Sequence, residues 1–223
     1  WSHPDGTELE GVFFLPTKGR MPCPCIVIPH GGPHVRTPAV LTPDALVFLD
    51  AGIGIFLPNY RGSSGYGQAF IDADRGDWGG KDFEDIQCGI DALIGKGVID
   101  GNKLGIWGPS YGGFMTAWAI GHTNRFKAAV VFNGIANLLS QYGQTDYKEF
   151  MQWEFHGFPL DNLQRLMEHS PIAHIGKART PTLLAYGDGD RRVPIAQGYE
   201  LYTALTRLGV ETEFIKYPGA THA

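Results

Sequence analysis

The feature that most constrains this chain is the alternation of short, continuously apolar segments with segments whose apolar residues recur at helical spacing. The apolar segments predict strands at residues 12–15, 25–28, 53–57, 104–107, 128–132, 182–186 and 213–217. Most are continuous, as is typical of strands buried on both faces of a parallel sheet. Helical patterns occupy residues 43–51, 83–94 and 195–208. The chain therefore predicts an α/β fold, a mostly parallel sheet flanked by helices.

Composition narrows the classes of partner. The 223 residues, 43% hydrophobic, suffice for the core of one domain. Asp and Glu number 23 against 18 Lys and Arg, so we expect no nucleic-acid and no membrane partner. No apolar run approaches the roughly 20 residues that span a bilayer. The three cysteines are too few for a disulfide framework, which favours a reducing, cytoplasmic location.

A serine between two glycines is the strongest chemical signal. Gly108, Ser110 and Gly112 follow the predicted strand 104–107 and precede a helix-compatible run at 114–120. A sharp turn from strand to helix in this pattern lifts the serine hydroxyl above the sheet as a nucleophile. The other interpretation is an ordinary glycine-rich turn with a capping serine. The motif alone does not separate the two.

A nucleophilic serine needs a histidine base and a carboxylate that orients it. His222 is the histidine that follows the last predicted strand in a loop, which is the position expected for an order of serine, acid and histidine. Asp188 and Asp190 both follow the strand 182–186. Either could be the acid, and either could instead cap the helix that begins near Pro194.

Backbone donors for an oxyanion are predicted at two places. Gly31 and Gly32 follow an early strand, and the N–H of Tyr111 comes directly after the nucleophile. His30 and His34 have a spacing that metal ligands use, but Pro33 prevents a regular helix between them and no further ligand accompanies them in the sequence. We therefore predict no metal and no cofactor.

The motifs together resemble the catalytic domain of the prolyl oligopeptidase family, in its acylaminoacyl-peptidase, dipeptidyl-peptidase-like branch. The resemblance rests on residues 5–6, 30–33, 59–67, 108–113, 154–159, 170–172, 187–194 and 221–223. It implies an α/β-hydrolase fold and a catalytic triad of Ser110, Asp190 and His222. It also implies an oxyanion hole formed by the main-chain N–H groups of Gly32 and Tyr111.

The resemblance further suggests a substrate pocket. Its walls would be Tyr111, Ile135, Leu138 and Tyr142, although apolar residues at this spacing are equally well explained as core. The aromatic-rich stretch 134–178 is expected to form a cap or insertion. In the loop 59–67 we expect Arg61 to pair with a carboxylate, because a buried arginine is nearly always paired.

The expected function is that of a serine hydrolase acting on short or N-acylated peptides through an acyl-enzyme on Ser110. A carboxylesterase with the same triad and a non-catalytic binding module are the alternatives. We expect residues 1–223 to form a single catalytic domain whose parent chain adds an N-terminal β-propeller and, beyond Ala223, an amphipathic closing helix. Self-association into a homo-oligomer stays open.

Overall fold

The structure, a computed structural model, describes residues 1–40 and 42–222; the predicted motif residue Ala223 lies outside them. The strands are β1 (Glu10–Phe14), β2 (Cys23–Val27), β3 (Gly54–Asn59), β4 (Ile99–Pro109), β5 (Phe126–Phe132), β6 (Thr182–Gly187) and β7 (Thr212–Tyr217). The helices are α1 (Pro43–Asp50), α2 (Gln68–Ile71), α3 (Lys81–Gly95), α4 (Tyr111–His122), α5 (Leu138–Gln144), α6 (Lys148–Glu154), α7 (Leu163–Glu168), α8 (Pro171–His174) and α9 (Ala196–Arg207). Short 3₁₀ turns lie at Asp72–Asp74, Pro159–Asn162 and Ile175–Lys177.

The strands form one sheet in the order β1-β3-β2-β4-β5-β6-β7. Strand β1 is antiparallel to β3, and the other neighbours are parallel. The prediction of a mostly parallel α/β sheet is thus confirmed. The largest boundary difference is in β4, which starts at Ile99 rather than 104, because the exposed Asn102 and Lys103 interrupt the apolar pattern without ending the strand.

Helices cover the two faces of the sheet unequally. Helices α3, α4 and α9 contribute to a large core cluster that includes Val27, Val131 and Leu184 of the strands. Helix α1 forms a smaller cluster around Ile55. Beside α1, an apolar groove leaves part of the sheet accessible; it is lined by Ile26, Phe48, Gly105, Trp107, Ala128 and Val130. No helix in 1–40 or 42–222 has the length and apolar character needed to cross a bilayer.

Arg61, in the loop after β3, is held by a buried ion pair. Its guanidinium reaches Asp85 of α3 through Nη2–Oδ1 at 2.7 Å and Nε–Oδ2 at 2.9 Å, and its main-chain N–H also donates to Asp85 at 2.9 Å. Nη1 donates to Asp5 at 2.8 Å. Arg61 is 5% exposed and Asp85 is fully buried. The pairing expected of Arg61 is present, and it attaches the loop after β3 to helix α3.

We predict that Asp85→Asn lowers the free energy of unfolding by up to about 3–5 kcal/mol, because it removes the buried countercharge of Arg61 and leaves only the partly exposed Asp5. Asp91→Asn is the matched control on the same helix. Asp91 is 65% exposed in its pair with Arg125, so its loss should change the free energy by at most about 1 kcal/mol. Equilibrium denaturation in urea measures both variants. Equal losses would show that the Arg61 pair contributes no more than a surface pair.

Candidate active site

Four loops that follow parallel strands meet at one edge of the sheet. Gly31 and Gly32 follow β2, Ser110 follows β4, Asp190 follows β6 and His222 follows β7. Because parallel strands end on the same side, their carboxyl ends bring these residues together. Ligands of open α/β sheets bind at this edge, so it is the candidate active site of the protein.

Ser110 stands on a strained turn between β4 and α4. Its φ of 57° and ψ of −118° are unusual for a residue with a side chain, and its neighbours must therefore be small. A Cβ on Gly108 would collide with the carbonyl of Gly112, and a Cβ on Gly112 would collide with the carbonyl of Pro29. The Ser110 N–H donates to the carbonyl of Phe132 at 2.9 Å, which fixes the turn against β5.

A chain of hydrogen bonds joins the three side chains singled out from the sequence. The Oγ of Ser110 lies 2.9 Å from Nε2 of His222, and Nδ1 of His222 lies 2.7 Å from Oδ2 of Asp190. Oδ1 of Asp190 accepts the main-chain N–H groups of Arg192 at 2.8 Å and Val193 at 2.9 Å. The aspartate is thus fixed by its own loop, with its second oxygen directed at the histidine.

Asp188 has different partners from Asp190. Oδ1 accepts the N–H of Gly219 at 2.6 Å, and Oδ2 lies 3.1 Å from Nζ of Lys216. The Gly219 N–H and the Lys216 ammonium lower the pKa of this carboxyl. Asp188 therefore connects the loop after β6 to the turn that carries His222, and it does not contact the histidine itself through a hydrogen bond.

The predicted oxyanion donors lie beside Ser110. Tyr111 is the first residue of α4, so its N–H belongs to the group of helix-start donors that have no partner within the helix. A Cβ built on Gly31 would lie 3.4 Å from Cβ of Ser110, which shows how closely this loop approaches the nucleophile. Gly31, Gly32, Ser110 and Tyr111 line the same cavity. The geometry is compatible with an oxyanion hole at Gly32 and Tyr111.

A cavity of about 350 Å³ opens next to Ser110 and His222. Of the four predicted pocket residues, Tyr111 and Ile135 line it. Leu138 does not, because the first turn of α5 packs this side chain into the core, where it is fully buried. Tyr142 is also absent from the lining; its ring packs against Phe158 and its hydroxyl accepts a hydrogen bond from Gln152.

Several lining residues were missed by the sequence reasoning. They are Val35, Trp78, Gln141, Thr145, Tyr147, Phe150, Met151, Arg192 and Val193. Tyr147 and Phe150 belong to the aromatic-rich stretch 134–178, so its clustering of aromatic residues was the available signal. Trp78 had no comparable signal, since it lies in a loop 32 residues before the nucleophile in the sequence. Most of these side chains are apolar, and the cavity suits an apolar group.

Tyr111 is held in the cavity wall by a buried acid. Its hydroxyl donates to Asp82 of α3, which also accepts the N–H groups of Gly79 and Phe83. Burial raises the pKa of Asp82 to about 7, against the effect of these three hydrogen bonds. Burial and the adjacent Asp82 keep the pKa of the Tyr111 phenol well above its usual range. The phenol therefore stays neutral and its ring presents an apolar surface.

The chain is similar to known proteins over nearly its whole length. Residues 41–223 match the model of the prolyl oligopeptidase family. An uncharacterized peptidase, YuxL, from Bacillus subtilis is 38% identical over 98% of this chain and 34% of its own length. Acylamino-acid-releasing enzyme 1 of rice (Oryza sativa subsp. japonica) is 35% identical over 98% of this chain and 30% of its own.

The fold is also similar to that of a solved peptidase structure. An acylaminoacyl peptidase in complex with Z-Gly-Gly-Phe-chloromethyl ketone superposes with a TM-score of 0.91 at 32% identity, covering 97% of this chain and 36% of that one. The chain belongs to the prolyl oligopeptidase family, and its fold is that of the α/β-hydrolase peptidases. It spans about a third of the length of the curated relatives that it matches.

The two aspartates after β6 can be separated by substitution. We predict that Asp190→Asn lowers kcat by about four orders of magnitude, because His222 loses the carboxylate that selects its tautomer. Asp188→Asn is the matched control and should keep kcat within about tenfold, since Asp188 supports only the turn. Stopped assays with an activated acyl ester measure both. A larger loss for Asp188→Asn would contradict the assignment of the acid.

Proposed function

We propose that this chain is a serine peptidase domain that cleaves short or N-acylated peptides through an acyl-enzyme on Ser110. The observation that carries the proposal is the hydrogen-bonded sequence Ser110, His222, Asp190 at the mouth of an apolar cavity. The family membership and the acylamino-acid-releasing and acylaminoacyl peptidases among its relatives support a peptide substrate with a blocked amino terminus.

In the proposed mechanism His222 accepts the Ser110 proton at Nε2 while Oγ attacks the scissile carbonyl carbon. The negative charge that develops on the carbonyl oxygen is stabilised by the N–H groups of Gly32 and Tyr111. His222 then donates its proton to the leaving amine. Water deprotonated by His222 attacks the acyl-enzyme, and Ser110 regains its proton as the acid product leaves. Throughout, Asp190 stabilises the imidazolium and fixes its orientation.

The cavity supports an apolar side chain on the acyl side of the cleaved bond. Trp78, Tyr111 and Phe150 supply aromatic surfaces, and Ile135 and Val193 supply aliphatic ones. Transfer of an apolar side chain from water to such a pocket is favourable by about 25 cal/mol per Å² of buried surface. We therefore propose substrates with a large apolar residue at this position.

We also propose that the chain is the catalytic part of a longer protein. The relatives are about three times its length, and the family resemblance implies a β-propeller beside the active site that limits substrate size. The apolar groove beside α1 supports a second element: a helix from a continuation of the chain that covers this face, as parallel sheets of α/β proteins usually require. Such a helix would restrain the loop that carries His222.

Ser110→Ala tests the proposed function. The substitution removes one hydroxyl and should reduce hydrolysis of an N-acetyl-phenylalanine anilide on the order of a million-fold, leaving the unfolding transition unchanged. Ser140→Ala is the control on a serine outside the triad. A fluorophosphonate probe should label the parent chain and not the Ser110→Ala variant.

The same assay distinguishes the competing activities. A parent chain that hydrolyses p-nitrophenyl butyrate but not the anilide would be a carboxylesterase and would contradict the peptidase proposal. A parent chain that hydrolyses neither and takes up no probe would be a binding module. Residual turnover within tenfold of the parent in Ser110→Ala would end the assignment of the nucleophile.

A second variant tests the pocket. Phe150→Ala removes part of the aromatic wall and should lower kcat/KM for the acetyl-phenylalanine anilide roughly 10- to 100-fold. Hydrolysis of p-nitrophenyl acetate, whose acyl group is too small to fill the cavity, should change little. Phe158→Ala is the matched control, because Phe158 is 46% exposed and packs on Tyr142 outside the lining. Equal effects on both substrates would contradict the assignment of Phe150 to the substrate pocket.

A further inference from the structure

Three side chains that the proposed mechanism does not use meet behind the loop of Gly31 and Gly32. They are His34, Asp74 and Glu154, and each offers a donor atom within 4.8 Å of the donor atoms of the other two. Asp74 is 1% exposed and Glu154 is fully buried. The three residues come from different segments: the loop after β2, the 3₁₀ turn after α2, and the last residue of α6.

His34 is oriented toward this cluster by the main chain. Its Nδ1 lies 2.9 Å from the carbonyl oxygen of Gly62, which can only accept, so Nδ1 carries a proton. Nε2 lies 2.5 Å from Oε1 of Glu154. A histidine whose Nδ1–H donates to a main-chain carbonyl has the tautomer and ring orientation that metal-ligating histidines use.

Glu154 is oriented in a similar way. Its Oε2 accepts the indole N–H of Trp78 at 2.9 Å, while Oε1 faces His34. The indole hydrogen bond holds the carboxylate at the end of α6 and leaves Oε1 directed at the cluster. Hydrogen-bonded carboxylates of this kind are common among metal ligands.

Of the three side chains, that of Asp74 has the fewest hydrogen bonds. Neither of its carboxylate oxygens has a hydrogen-bond partner among the residues that the structure describes. Its carboxylate packs against Gly62, where a Cβ would lie 2.5 Å from Oδ2. A second buried carboxylate, that of Glu154, offers a donor atom within 4.8 Å of it. A buried carboxylate that has no partner and lies next to another acid destabilises a fold unless it is protonated or a positive charge accompanies it.

We propose that His34, Asp74 and Glu154 form a binding site for one divalent transition-metal ion, such as Zn²⁺ or Mn²⁺. One imidazole nitrogen and two carboxylates are a donor set that such ions accept, whereas Mg²⁺ and Ca²⁺ prefer oxygen ligands alone. Such ions are ligated at roughly 2.0–2.2 Å, so Nε2 of His34 and Oε1 of Glu154, which are 2.5 Å apart, would move apart to admit the ion between them. The ion neutralises Asp74 and Glu154 together.

The site differs from the histidine pair that the sequence suggests. His30 does not take part, because its Nε2 faces Oγ of Ser63 at 2.8 Å and its ring stacks on Tyr60. A metal at His34 and Glu154 would instead join the loop of the predicted oxyanion donor Gly32 to helix α6, which carries the cavity residues Phe150 and Met151. Its place in the fold is structural, since none of the three ligands lines the cavity.

Co²⁺ binding to the whole protein, first freed of metal with a chelator, tests the proposal. Equilibrium dialysis and visible absorption should show one Co²⁺ per chain for the parent. Asp74→Asn, and separately His34→Leu, should weaken this binding at least 30-fold. Other histidines could also bind Co²⁺. The ring centroids of His122 and His174 lie 4.5 Å apart, and His222 lies in the candidate active site. His174→Gln and His222→Gln are therefore controls that should leave the Co²⁺ stoichiometry unchanged.

Thermal unfolding distinguishes a metal ligand at Asp74 from a buried acid that binds no metal. In chelator, Asp74→Asn should melt at or above the parent, because the amide removes the repulsion from Glu154 and Asp82. With Co²⁺ at about 100 times its Kd, the parent should gain roughly 5–10 °C and melt above the variant. This reversal of order is the expected result.

Two results would overturn the proposal. If the melting temperature of the parent is the same in chelator and in Co²⁺ while Asp74→Asn melts higher in both, Asp74 is a protonated buried acid. If Co²⁺ binding survives Asp74→Asn and His34→Leu but is lost in His174→Gln or His222→Gln, the ion is bound elsewhere. Should Asp74→Asn fail to fold, His34→Leu gives the same comparison.

Discussion

The reactive edge of this protein depends on how closely the start of helix α4 approaches the loops that follow β2 and β5. A Cβ on Gly112 would overlap the carbonyl of Pro29, and a Cβ on Gly113 would lie 2.6 Å from Cα of Gly134. Only glycine permits this contact. The close approach places Ser110 against Gly31, and the start of α4, whose first N–H groups have no partner within the helix, lines the same cavity.

The acid loop and the cap support each other. Gln141 in the middle of α5 and Thr145, the residue after that helix, both donate to the carbonyl of Arg192, at 2.6 Å and 2.8 Å. The N–H of Arg192 in turn donates to Asp190. The segment that walls the cavity therefore also positions the carboxylate that orients His222. In the proposed function, substrate binding and proton transfer would therefore depend on one set of hydrogen bonds, and a change in the cap would alter the position of Asp190 without contacting it.

Three buried acids lie near the candidate active site. Asp82 supports the Tyr111 ring, while Asp74 and Glu154 lie behind the loop of Gly32. Such groups are costly in a low-dielectric interior unless hydrogen bonds or countercharges accompany them. Asp82 has three donors, Glu154 has Trp78 and His34, and Asp85 has Arg61. Asp74 differs from these three, because neither of its oxygens has a hydrogen-bond partner among the described residues, and the proposed metal site rests on this difference.

The sequence alone determined the sheet, its parallel character, the serine Ser110 and the histidine His222, because each depends on local patterns; it left Asp188 open beside Asp190 as the acid. Apolar runs mark buried strands, glycines mark the turn at 108–112, and chain order places an acid and a histidine after later strands. The fold class and family are confirmed, and the roles of the triad and of the oxyanion donors stay predictions. The choice between Asp188 and Asp190 gains support from geometry, since Asp190 hydrogen-bonds to His222 whereas Asp188 binds Gly219 and Lys216.

Tertiary structure alone decided which residues surround the cavity and which remain in the core. Leu138 and Gln141 share helix α5, yet Leu138 is packed inside and Gln141 lines the cavity, because the orientation of a short helix is set by its neighbours rather than by its own pattern. His34, Asp74 and Glu154 are separated by 40 and 80 residues, and no periodicity links them. Their meeting results from the packing of a loop, a 3₁₀ turn and a helix end, which local sequence does not encode.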